Sequence, residues 1–160
     1  MYKQQLRRLE RKYHALIQKR GAIEDTNIDE IRDLLLSFFQ DCWHLKDWLT
    51  NSTRIDQKKL YSFLSNSIEM NMCREICNTA KHLILNRQTP LTQAQLANFR
   101  DMGVPLALVR EHNPSVDKLT FCFQEKYDAF ELAGRCLALW REFLSSIEQS
   151  LPTSSTKPAC

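Results

Sequence analysis

The strongest constraint in the sequence is a helical apolar period over residues 28–49, IDEIRDLLLSFFQDCWHLKDWL. Ile31, Leu34, Leu35, Phe38, Cys42, Leu45 and Leu49 recur at three- and four-residue steps, which on a helix align as one face. The same period appears at Tyr2, Leu6, Leu9, Tyr13, Leu16 and Ile17. It appears again at Leu60, Phe63 and Leu64, at Met72, Ile76, Ala80 and Leu83, and at Tyr127, Phe130, Leu137, Trp140, Leu144 and Ile147. These patterns predict helices over about 2–20, 29–49, 54–65, 67–85 and 125–149. Only 3 glycines and 5 prolines occur in 160 residues, too few for the many tight turns of an all-β fold. The spacing thus predicts a mainly α protein, an antiparallel helical bundle of about five helices.

Residues 86–124 break the helical pattern. Thr92 and Gln95 have capping-box spacing and predict a short helix ending near Gly103. Residues 104–110 and 118–124 read as strands. In the second, Leu119, Phe121 and Phe123 alternate with Thr120, Cys122 and Gln124. With the turn-rich HNPSVD between them, they predict a small inserted β-hairpin at about 104–124. The whole reads as one domain over 1–150, followed by a disordered tail over 151–160.

Charge is unevenly placed. Residues 1–20 carry Lys3, Arg7, Arg8, Arg11, Lys12, Lys19 and Arg20 against Glu10 alone, a local +6 in a chain of net +3. Arg7, Arg8, Arg11 and Lys12 are therefore candidate RNA-binding residues, although a basic helix face also serves simply to stay solvated. No apolar run reaches the ~20 residues that span a bilayer. The basic N-terminus lacks an apolar core for export, so a cytoplasmic protein with reduced thiols and no membrane contact is expected. Cys42, Cys73, Cys77, Cys122, Cys136 and Cys160 contain no CxxC pair. Cys73 and Cys77 read as packing residues.

Chemistry concentrates on two polar stripes. On the second helix His44 and Asp47 are three apart and therefore neighbours, flanked by Trp43 and Trp48. The tryptophans imply that this face also packs against something. On the fourth helix Arg74, Asn78 and His82 step by four, with Lys81 beside them. A guanidinium that neutralises phosphate, an imidazole that moves protons near neutral pH and an amide that orients either one suit a phosphodiester. The same residues equally suit the solvated face of any amphipathic helix. A metal on His44, Asp47, Glu75 and His82 has no ligand-spacing signature behind it, so neither a metal nor another cofactor is expected.

The helical frame and the run Asn78-Thr79-Ala80-Lys81-His82 resemble the HEPN superfamily. Its small α-helical domains, often dimeric, carry an Arg-x4–6-His motif frequently written R-N-x-x-x-H. The likeness covers roughly residues 29–86 and 125–148. It implies a metal-independent endoribonuclease of a bacterial defence or toxin–antitoxin system, or a catalytically inactive binding and dimerisation module of the same fold. In the active case it implies that His82 is the acid–base group, that Arg74 stabilises phosphate charge and that Asn78 positions either one. His44, Asp47 and Lys81 then support them. The partners implied are RNA, a second copy of the chain and an antitoxin or other protein. The chain departs from the motif at one point: Cys77 stands where the arginine precedes Asn78, and seven residues separate Arg74 from His82.

Overall fold

The computed structural model describes residues 2–24, 26–51, 55–79, 84–86, 107–111, 117–122 and 125–150. Five helices, α1 (Tyr2–Lys19), α2 (Ile28–Thr50), α3 (Gln57–Asn66), α4 (Ile68–Thr79) and α5 (Ala129–Ser150), form a bundle. A small sheet lies between the fourth and fifth in sequence, built from β1 (Ile84–Asn86), β2 (Ala107–Glu111), β3 (Lys118–Cys122) and β4 (Lys126–Asp128). The fold is thus a mainly α bundle with a β insertion.

Local chemistry sets the helix ends. Asp56 caps α3 by accepting from the Lys58 N–H at 2.9 Å. The Ser67 hydroxyl accepts from the Met70 N–H at 3.2 Å at the start of α4. Between α1 and α2, Asn27 accepts from the Glu24 N–H at 2.9 Å and donates to the Ala22 carbonyl at 2.6 Å, which ties the turn. Asp29 and Glu30 then oppose the positive end of the α2 dipole.

Two boundaries differ from the sequence reading. The last helix begins at Ala129 rather than near 125, because Asp128 acts as its cap: its carboxylate accepts from the Glu131 N–H at 2.8 Å. Residues 126–128 pair instead with β3, Phe121 opposite Tyr127. The fourth helix ends at Thr79 rather than near Leu85, and Ile84–Asn86 form β1, parallel to β2. A short apolar run such as Ile84-Leu85 fits a strand as well as a helix, and periodicity alone does not separate them. The hairpin itself is present, with Val109 opposite Thr120 in the antiparallel β2–β3 pair. The short helix expected over 92–102 and the tail over 151–160 lie outside the described residues.

The core is continuous from helices to sheet. Leu35, Phe38, Phe39, Cys42 and Leu45 of α2 are fully or almost fully covered. Phe39 meets Phe121 of β3 edge-on, with ring centres 5.4 Å apart. Trp140 of α5 is fully buried and donates its indole N–H to the Cys42 carbonyl at 3.1 Å. Leu119, Thr120, Phe121 and Cys122 are all buried, so β3 is covered on both faces and its sequence alternation does not separate core from solvent. Arg110 is also buried; it donates to Asp117 at 2.8 Å and to the Ile23 carbonyl at 3.0 Å, which ties the hairpin to the α1–α2 turn. Among the described residues no helix is long and apolar enough to cross a membrane.

Candidate functional site

α2 packs against α4, which brings Arg74 of one polar stripe to the same cavity as Asp47 of the other. On α2, His44 Nδ1 lies 3.0 Å from Asp47 Oδ2, while Lys46 donates to Asp47 Oδ1 at 2.6 Å. The one-turn spacing produces the first contact, and adjacency with a long flexible stem produces the second. The ring of His44 then presents Nε2 to α4, where the Cys77 sulfur lies 3.9 Å away. Cys77, His44 and Asp47 thus form a chain of polar groups across the helix pair.

The electrostatics of this chain follow from burial and neighbours. Burial alone would raise the Asp47 carboxyl, but hydrogen bonds from Lys46 and His44 outweigh it and hold the group below its ordinary value. Burial pushes the Cys77 thiol up, only partly opposed by the Lys46 charge, so Cys77 is a protonated thiol at neutral pH.

Beside this chain, α2, α3 and α4 enclose a cavity of about 320 Å³. Trp43, Lys46 and Asp47 line it from α2, Leu60, Tyr61 and Leu64 from α3, and Arg74 from α4. The Lys46 ammonium sits over the Trp43 ring, 5.2 Å from its centre, a cation–π contact. Trp43 is half-buried against the core, whereas Tyr61 is 60% exposed and Trp48 39% exposed. The packing expected of the tryptophan-bearing face therefore holds for Trp43 more than for Trp48. Arg74 is exposed and reaches Glu75 at 3.4 Å, a long contact on a side chain about half exposed. Asn78 is exposed on the same stripe. His82 and Lys81 lie outside the described residues.

A second cavity, of about 360 Å³ between α4, β4 and α5, has the opposite character. Glu69, Glu125, Asp128 and Glu131 line it against Lys126 and Arg135. Its acidic excess disfavours a polyanion, whereas Lys46 and Arg74 give the first cavity two cations against Asp47.

The four candidate RNA-binding residues of α1 divide into two pairs. Arg8 bonds Asp41 of α2 at 3.0 Å, and Lys12 bonds both Asp41 and the Ser37 hydroxyl, so these two charges fasten α1 to α2. Arg7 and Arg11 are exposed. Asp41 lies one turn before His44, so the α1 ion pairs adjoin the His44–Asp47 stripe along α2.

The sequence reading did not single out Trp43, Lys46 and Tyr61 as lining one cavity. Lys46 beside Asp47 was the available signal, but Tyr61 joins the site only through the packing of α3. The comparisons with family models, with curated proteins and with solved structures each give no match.

Proposed function

We propose that the protein is RNA-directed and engages a single strand along the α2–α3–α4 cleft. The observation that carries this reading is the joint lining of one cavity by Lys46, Arg74, Trp43 and Tyr61. Cations that meet phosphate, interleaved with aromatic faces on which bases stack, are the shared chemistry of single-strand binding. Exposed Arg7 and Arg11 on α1 add sequence-independent phosphate contacts.

The HEPN resemblance extends this reading to metal-independent cleavage, in which His82 is the acid–base group for attack of a ribose 2′-hydroxyl on the adjacent phosphate. Arg74 stabilises the developing charge and Asn78 orients the reacting groups. His44, fixed by Asp47, supplies a second imidazole beside the stripe. A symmetric dimer sets two such clefts side by side, and an antitoxin-type protein partner would cover them.

A second reading has its own support. Cys77 occupies the place of the motif arginine, and its protonated thiol carries no charge toward phosphate. This favours a catalytically inactive binding and dimerisation module built on the same frame.

The test is incubation of end-labelled mixed-sequence RNA with the protein in EDTA, wild type against His82→Ala. Cleavage that survives chelation and disappears in the variant supports the nuclease reading. Binding without cleavage in a folded protein supports the second. Absence of both overturns the RNA-directed proposal.

A further inference from the structure

We propose that Cys42, Cys73 and Cys136 form a buried site for one thiophilic ion, held three-coordinate by their sulfurs. The three sulfur atoms lie within 4.8 Å of one another. Each comes from a different helix, α2, α4 and α5, and none of the three residues has any exposed surface. Small apolar thiols are ordinary core residues, and a single one would need no explanation. Here three sulfurs from three separate helices meet at one point in the bundle.

Geometry and donor chemistry define the ligand. Three bonds of ~2.3 Å set the sulfurs about 4 Å apart around a planar ion and roughly 3.5 Å apart around a pyramidal one, so a contraction of the cluster closes the site. All three donors are soft sulfur, which selects thiol-seeking ions over magnesium or calcium. The remaining polar contacts are already committed. Cys73 donates to the Phe39 carbonyl at 3.3 Å, Cys136 to the Glu69 carbonyl at 3.5 Å, and the Trp140 indole to the Cys42 carbonyl. Among the described residues no histidine, carboxylate or fourth cysteine joins the three sulfurs, and the Phe39 and Glu69 carbonyl oxygens beside them accept the thiols' own hydrogen bonds. The ion is therefore three-coordinate, and a four-coordinate zinc site does not fit.

Charge separates the ions within that class. Each metal–sulfur bond forms as a thiol proton leaves. A cuprous ion on three thiolates leaves two negative charges in an apolar core, which is costly. Trivalent arsenic leaves none. Arsenous acid and three thiols give three As–S bonds and three waters, with no change of oxidation state. Burial therefore favours the trivalent ion, and the cuprous ion is the second probe.

The experiment uses the full chain carrying Cys77→Ser and Cys160→Ser, refolded anaerobically with a phosphine reductant and either arsenite or cuprous ion. The expected result is one equivalent bound per chain after desalting, a raised Tm, and X-ray absorption showing three sulfur neighbours without oxygen or nitrogen. Cys73→Ala and Cys136→Ala each lose the bound equivalent. Should those variants fail to fold, the absorption spectrum of the parent decides. Failure of both ions to bind stoichiometrically, oxygen or nitrogen neighbours on a bound ion, or binding that survives in the folded variants overturns the proposal.

Discussion

The Cys77 sulfur lies 3.9 Å from His44 Nε2, and the far side of the same imidazole is held 3.0 Å from Asp47. On the proposed HEPN-like reading, this neutral thiol takes the place of the motif's guanidinium. If the missing charge is what limits cleavage, Cys77→Arg supplies it. We expect EDTA-resistant RNA cleavage to rise by on the order of 10²-fold, the scale of one oriented charge-stabilising group. The gain should be absent in the Cys77→Arg/His82→Ala double variant, measured on the same end-labelled RNA.

Asp47 should titrate below its ordinary value of 3.8, because Lys46 and His44 bond its ionised form more strongly than burial opposes it. A carboxyl depressed in the folded state contributes stability above its unfolded value and loses that contribution as pH falls through the folded value. Carboxyl NMR titration should therefore show the Asp47 midpoint moving up in Lys46→Ala and again in His44→Ala. A midpoint unmoved by both changes would mean that neither contact holds the group.

Trp140 carries a large share of the core. It is fully buried, it packs edge-on against Phe63 at 4.9 Å between ring centres, and it donates to the Cys42 carbonyl. Trp140→Ala should cost about 3–5 kcal/mol in urea unfolding. Trp140→Phe keeps most of the ring contact and should cost less, with the lost indole hydrogen bond contributing ~1 kcal/mol.

Gly134 sits inside α5 because Tyr13 of α1 occupies the space a side chain would take. A Cβ there would lie 2.7 Å from the Tyr13 hydroxyl oxygen and 3.3 Å from its ring carbon. Alanine gains ~1 kcal/mol of helix propensity over glycine, yet overpacking costs ~1–3 kcal/mol. Gly134→Ala should be net destabilising, and Tyr13→Phe should restore part of the loss in a double-mutant cycle. Additive effects of the two substitutions would show that this contact does not set the helix spacing.

Much of this architecture was legible in the chain, for reasons that are local. The period of α2 named Ile31, Leu34, Leu35, Phe38, Cys42, Leu45 and Leu49; all are buried except Leu34, which is partly buried against the core. The alternation over 118–124 marked β3, although Thr120 and Cys122 on the supposedly outer side are buried as well. The start of α5 was misplaced because Asp128 decides it through a side-chain cap, which an apolar period does not register. Of the candidate site, His44 and Asp47 could be paired by helix spacing alone, and the structure pairs them. Tyr61 and the meeting of Cys42 with Cys73 and Cys136 depend on which helices pack together, and no single helical wheel contains that information. Arg8 and Lys12 illustrate the converse. Their charge was visible in the sequence, but Asp41 as their shared partner was not.

The most direct test of the central claim is the salt dependence of single-stranded RNA affinity for wild type and for Lys46→Ala/Arg74→Ala. Each phosphate contact on a single strand contributes about 0.7 to the slope of log K against log salt concentration. Loss of two such contacts should weaken binding at low salt and flatten the slope by about 1.4. An affinity and slope identical to wild type, in a double variant with an unchanged circular dichroism spectrum, would contradict the claim that RNA runs along the α2–α3–α4 cleft.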